Sequence, residues 1–153
     1  MTSTQSEGWL FTLPPVATTY CTGKVNSQGC LTAIAFDGAP SASSGAGFDV
    51  AAVNLVPNTN GLLFYGTSGP AATPFQGGFL CVAAPITRTS VQSSGGAGPC
   101  SGALSFDFNA HVPTSGNAAL VGGANVWAQY WSRDPASPST TNLTDAVTAV
   151  ICP

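Results

Sequence analysis

The chain has 153 residues, of which 44% are hydrophobic and 6% are charged, and its formal net charge is -3. This length suits one domain with a core of its own, and no apolar run is long enough for a transmembrane helix. Three basic residues against six acidic ones exclude the positive footprint that nucleic acids and anionic membranes require. We therefore expect neither a nucleic-acid partner nor membrane insertion.

Neutral polar groups must supply most of the surface. Ser and Thr number 33 (16 plus 17), beside 18 Gly and 12 Pro. Thr favours strands, whereas Gly, Pro and Ser favour turns. The composition therefore predicts short strands joined by many turns.

The first part of the chain is predicted to be an N-terminal arm or linker, residues 1–19, ahead of one domain, residues 20–153. The arm contains the apolar stretch Trp9, Leu10 and Phe11, followed by a Pro-Pro pair that a central strand does not accommodate. This stretch either docks as an edge strand on its own domain, which we favour, or adds as a strand to a neighbouring molecule.

The strand pattern is clearest at residues 48–55, where side chains alternate with a period of two. Residues 57–61, Pro-Asn-Thr-Asn-Gly, are typical of a hairpin turn, so residues 62–65 are predicted to pair with the first strand. Five further strands are bounded by Gly, Pro, Ser or Asn clusters, at residues 31–36, 79–82, 104–109, 125–131 and 146–152. Seven to nine short strands without interleaved helices predict an all-β antiparallel sandwich.

Five cysteines without a CxxC pair or a histidine cluster indicate disulfides and an oxidising compartment. Cys21 and Cys30 enclose a turn-rich octet with two glycines, so we predict that they pair. Cys81 and Cys100 are predicted partners across a Gly-rich loop, although Cys152 competes for either. The cysteine left over is expected to be a buried free thiol or, alternatively, an intermolecular bridge.

Side chains that could carry catalysis are few. Ser68, Asp107 and His111 occur in the order used by α/β-hydrolases, but no GxSxG elbow between a strand and a helix accompanies them; His111 is predicted to be a loop residue. A glycosidase needs two carboxylates flanking a cleft, whereas the one glutamate, Glu7, lies in the arm and the five aspartates are scattered. We therefore predict no enzyme, no cofactor and no metal site.

Two polar features have structural interpretations. Asp107 and Asn109 alternate with phenylalanines, which predicts a polar outer strand face, with weak calcium binding as the lesser alternative. Arg133 is predicted to form a charge-assisted pair with Asp134 or Asp107 that fixes a loop.

One predicted strand, residues 125–131, carries two indoles and an amide on one face: Trp127, Gln129 and Trp131. We favour an arrangement in which this face packs inward against the second sheet of the sandwich. If it faces outward instead, the two indoles form a stacking platform for sugar rings.

Several segments together resemble an uncharacterised bacterial secreted module that usually forms the C-terminus of larger exported proteins, for example after propeller-type repeats. The segments that carry this resemblance are residues 20–30, 61–66, 80–82, 105–109, 128–135 and 145–153. The resemblance covers about residues 20–153. It implies export and modularity, with no activity to transfer, and it implies that residues 1–19 belong to a preceding linker or join neighbouring modules.

These features predict a non-enzymatic module that is secreted or held at the cell surface. Its predicted role is structural or adhesive, and it assembles through its arm with copies of itself or with neighbouring modules into filaments or surface arrays. The low charge limits repulsion between copies. The alternative is a carbohydrate-binding β-sandwich that uses Trp127, Gln129 and Trp131. Since residues 1–4 show no signal-peptide pattern, we expect that a leader was removed.

Overall fold

Strands dominate the part of the chain that the computed structural model describes, residues 16–153. The short α-helical turn α1 (Phe108–His111) and the 3-10 turn η1 (Val112–Thr114) interrupt them once. In chain order the strands are β1 (Ala17–Tyr20), β2 (Ala33–Gly38), β3 (Phe48–Leu55), β4 (Asn60–Gly66), β5 (Pro70–Phe75), β6 (Gly78–Val82), β7 (Thr87–Arg88), β8 (Gln92–Ser93), β9 (Gly102–Asp107), β10 (Asn125–Arg133) and β11 (Thr141–Val150). The predicted all-β class is confirmed.

Two antiparallel sheets form the sandwich. The small sheet has the order β9-β3-β2, and the large sheet has the order β1-β11-β10-β4-β7, with β8 also pairing with β4. Every strand pair in both sheets is antiparallel. The predicted antiparallel β-sandwich is therefore confirmed.

The main core lies between these sheets and follows the two-residue period of the strands. From β3 it takes Phe48, Val50 and Ala52, all at most 2% exposed. From β10 it takes the face with Val126, Ala128 and Tyr130. Because successive side chains of a strand point to opposite faces, the tryptophan face of β10 points away from this core.

A third layer covers that other face. β5 and β6 pair as a two-stranded hairpin, here called the cover hairpin, and a second core lies between it and the large sheet, formed by Leu62, Phe64, Val82 and Leu143. Our prediction that the tryptophan face packs against the second sheet is therefore wrong. β10 is therefore covered on both faces, by the small sheet on one and by the cover hairpin on the other.

The predicted hairpin around residues 57–61 is also wrong, although its strands exist. β3 has the predicted bounds, and β4 includes residues 62–65. However, β3 pairs with β2 and β9 in the small sheet, whereas β4 pairs with β10 in the large sheet. The turn therefore carries the chain from the small sheet to the large sheet. Leu55 on one side of the turn and Leu63 on the other both enter the main core, each from its own sheet.

Residues 17–19 of the predicted arm form most of β1, which pairs with the end of β11 at the edge of the large sheet. The predicted assembly residues Trp9, Leu10 and Phe11 lie outside the described residues. Among residues 16–153, no helix is long and apolar enough to cross a membrane.

The two disulfides join different partners from those predicted. The bonds are Cys21–Cys81 and Cys30–Cys100, with Cα–Cα distances of 6.3 and 6.2 Å. The predicted pairs, Cys21 with Cys30 and Cys81 with Cys100, are wrong because each turn-rich loop packs against another part of the fold instead of closing on itself. Cys152 holds the remaining thiol, which is half-buried.

Candidate ligand-binding cleft

An open cleft of about 400 Å³ lies between the large sheet and the cover hairpin. Six apolar side chains line it: Leu62, Phe64, Phe75, Leu80, Ile86 and Leu143. Gln76, Arg88 and Trp131 add the polar groups of the lining. A concave, mostly apolar site of this size with a few polar groups has the general form of a small-molecule site.

Trp131 lies at this cleft, and its two sides have different neighbours. Its indole N–H points at the side-chain oxygen of Gln76, 3.4 Å away. The guanidinium carbon of Arg133 lies 5.2 Å from the centre of the indole, within the range of a cation–π contact. The sequence pattern identified Trp131 as a candidate ligand contact, and the structure places it in the lining.

Gln129 does not accompany Trp131, because the cover hairpin buries it completely. Its side-chain oxygen accepts from the backbone N–H of Cys81 at 2.9 Å, and its side-chain nitrogen donates to the carbonyls of Phe79 and Thr144. Trp127 is partly buried against the second core. The three side chains therefore do not form an open platform, and Gln129 instead attaches the hairpin to the sheet.

The base of the cover hairpin is fixed to β1. The Cys21–Cys81 bond joins the residue after β1 to β6. Beside it, the Tyr20 hydroxyl donates to the carbonyl of Cys81 at 2.6 Å, and burial raises the pKa of Tyr20 to about 12. One wall of the cleft is thus held to the sheet covalently and by buried hydrogen bonds.

Lys24 fixes the tip of the same hairpin. Its ammonium group donates to the carbonyl of Gln76 at 3.0 Å, to the hydroxyl of Ser139 at 2.6 Å and to the carbonyl of Thr141 at 2.9 Å, with Ser137 at 3.2 Å. These partners are all neutral oxygens, so the positive charge stays beside the cleft. The sequence around Lys24 gives no sign of this role, because the partners of its ammonium group are 52 to 117 residues away.

Arg88 is the charged residue among the lining side chains. It lies on β7, opposite Phe64 of β4, and is exposed to solvent. A strand of only two residues leaves no pattern in the sequence, so the position of Arg88 in the cleft could not be predicted.

The predicted loop position of His111 is wrong, because this residue is the last one of α1. The ring Nε2 of His111 lies 2.8 Å from the hydroxyl of Tyr65, and the ring packs against Phe106 and Phe108. Burial lowers the pKa of His111. The Asp107 carboxylate accepts backbone N–H groups, including that of Gly47, and these bonds hold its pKa below the usual value. Asp107 is thus the N-cap of α1.

Asn109 and Asp134 correct two predictions. Asn109 is 1% exposed and donates to the carbonyls of Ala39 and Ala46, so it is not on a polar outer face; alternation fails there because β9 ends at Asp107 and a helical turn begins. Asp134 is fully buried and accepts from the backbone N–H of Ser27 at 2.7 Å. Arg133, the predicted partner of Asp134 or Asp107, contacts the ring of Trp131 instead.

Among residues 16–153, no group of three His, Cys, Asp or Glu side chains is placed to hold a metal ion. Glu7 lies outside the described residues. In comparisons with known proteins, no family model, no curated protein and no solved structure matches the chain. The resemblance to a secreted module therefore stays a prediction.

Proposed function

We propose that this protein is a non-enzymatic extracellular module that binds a small ligand with a large apolar part in the cleft. The observation that carries the proposal is the apolar lining of a 400 Å³ space that the cover hairpin leaves open. Leaving apolar surface in contact with water is unfavourable by about 25 cal/mol per Å². A ligand that covers this lining recovers that free energy, while the fixed hairpin limits the ordering cost of binding.

The lining favours binding over catalysis. Its polar groups are an amide, an indole and a guanidinium, from Gln76, Trp131 and Arg88. The described side chains that line the cleft include no carboxylate, imidazole or thiol, which are the groups most used as general bases and nucleophiles. An adhesive or ligand-capturing role is the function that such a site supports best.

The two disulfides indicate an oxidising, extracellular environment. We further propose that the protein is secreted or displayed at a cell surface. In such an environment the Cys21–Cys81 bond stays oxidised and keeps the cover hairpin attached to β1.

A neutral fluorescent dye, N-phenyl-1-naphthylamine, tests the proposal because its emission rises in apolar sites. We expect saturable binding to the wild-type protein and about a tenfold weaker affinity for Leu80→Trp, whose larger side chain fills the cleft. The matched control is Leu31→Trp, which adds the same indole at a leucine that is 53% exposed elsewhere. We expect the control to bind the dye like the wild type.

Equal dye affinity in all three proteins would overturn the proposal. Ile86→Trp, at another lining position, serves if Leu80→Trp fails to fold by circular dichroism. Displacement of the dye by a sugar, and not by amphipathic molecules, would assign the cleft to carbohydrate.

Assembly through the arm is a second candidate, favoured by the position of β1. Among residues 16–153, this strand is the outermost of the large sheet, and a sheet edge offers backbone groups to another strand. The arm with Trp9, Leu10 and Phe11 leads directly into it. We expect concentration-dependent oligomers in sedimentation velocity that the triple alanine variant of these residues loses; a wild-type protein that stays monomeric at high concentration would contradict this role.

A further inference from the structure

The charges of the protein are distributed unevenly around the cleft. The chain has three basic residues, and each of them either lines the cleft or contacts a residue that lines it. Arg88 lines the cleft, Lys24 binds the carbonyl of the lining residue Gln76, and Arg133 lies over the ring of the lining residue Trp131. The basic side chains of this acidic protein therefore all lie at or beside the cleft.

The described aspartates lie elsewhere or are already bound. Asp37, Asp49 and Asp107 are direct neighbours across the small sheet, which packs on the opposite face of the large sheet. Asp134 and Asp145 accept the backbone N–H groups of Ser27 and Ile34. The described part of the fold therefore separates its positive charge, at the cleft, from a row of negative charge on the small sheet.

The three basic side chains are not equally free to meet a ligand. The ammonium group of Lys24 is surrounded by four oxygen atoms of the protein, and the guanidinium of Arg133 lies over an indole. Arg88 is exposed and is itself part of the lining. A planar guanidinium with its fork of N–H donors matches the geometry of a carboxylate.

We propose that the ligand is an aliphatic monocarboxylate whose chain lies on the apolar lining and whose carboxylate pairs with Arg88. This inference rests on the proposed function and specifies the class of its ligand. Lys24 and Arg133 add a favourable field without direct contact. A neutral molecule with the same chain fills the cleft but leaves the guanidinium without its partner.

Isothermal titration calorimetry with decanoate and decan-1-ol tests this inference, at pH 8 and below micelle-forming concentrations. We expect decanoate to bind the wild-type protein about tenfold more tightly than decanol. Arg88→Gln is expected to remove this preference by weakening decanoate alone. The control is Arg133→Gln, which removes the same charge from a guanidinium that lies over the Trp131 indole and is expected to change either affinity by less than about twofold.

The outcomes separate this inference from the function on which it rests. Decanol binding as tightly as decanoate, or an unchanged preference in Arg88→Gln, would overturn the carboxylate inference and leave the apolar cleft as a binding site. Failure of both ligands and of the neutral dye to bind the wild type would overturn the proposed function as well. A preference that falls steeply in 1 M NaCl supports an exposed ion pair at Arg88.

Discussion

Replacing Cys21 and Cys81 together by alanine is expected to lower the free energy of unfolding by about 4 kcal/mol. The bond joins residues 60 positions apart, and removing a cross-link of that span returns about this much chain entropy to the unfolded state. Because the same bond fixes the base of the cover hairpin, we also expect dye affinity in the cleft to fall. Urea denaturation and dye titration measure the two effects.

The second disulfide is the matched control. Cys30–Cys100 spans 70 residues, so its double alanine variant is expected to lose a similar amount of stability. It joins two loops outside the cleft lining, and we expect its dye affinity to match that of the wild type. Equal loss of dye affinity in both variants would show that the hairpin base has no special role in the cleft.

Gln129→Leu is expected to lower the free energy of unfolding by about 3 kcal/mol. The leucine fits an apolar surrounding, but it leaves the backbone N–H of Cys81 and the carbonyls of Phe79 and Thr144 without these side-chain partners in a buried layer. Each buried polar group left without a partner costs about 1–3 kcal/mol. Thermal and urea unfolding at neutral pH measure the loss.

Gln92→Leu is the control for this substitution, because Gln92 lies on the short strand β8 and is only half-buried. We expect it to change the stability by less than about 0.5 kcal/mol. If Gln129→Leu were as stable as Gln92→Leu, the amide would not be what attaches the hairpin to the sheet.

The two-residue alternation of apolar side chains predicts a strand of this fold well where one face of that strand is buried. The alternation in residues 48–55 corresponds to β3 because Phe48, Val50 and Ala52 enter the main core. β5 was missed since it carries Pro70 and Pro74 and belongs to a two-stranded hairpin, where proline is tolerated away from a central ladder.

Pairing between distant segments could not be predicted from local pattern. A turn with Asn58 in the left-handed region, φ 55°, serves equally for a hairpin or for a crossing between sheets. Cys21 and Cys30 are near in sequence, yet Cys21 follows β1, which leads to β6, while Cys30 faces the loop of Cys100. The pairing of strands and of cysteines depends on which layer of the fold covers each face of a sheet.

Trp131 is the one residue of the candidate cleft that the sequence pattern singles out. The alternative prediction makes Trp131 a ligand contact on an open platform, whereas the favoured one packs it inward against the second sheet. The cover hairpin instead leaves a cleft at Trp131 and buries Gln129. Arg88 and Lys24 join the site through contacts between remote segments. The position of all three basic residues at or beside the cleft is visible only in the folded molecule.

An NMR titration of ¹⁵N-labelled protein with decanoate shows whether the cleft beneath the cover hairpin binds an amphipathic ligand. We expect the amide shifts to concentrate at the cleft, at residues 62–64, 75–80, 86–88, 131 and 143. Shifts confined to the outer face of the small sheet, or no shifts at millimolar decanoate, would contradict this expectation.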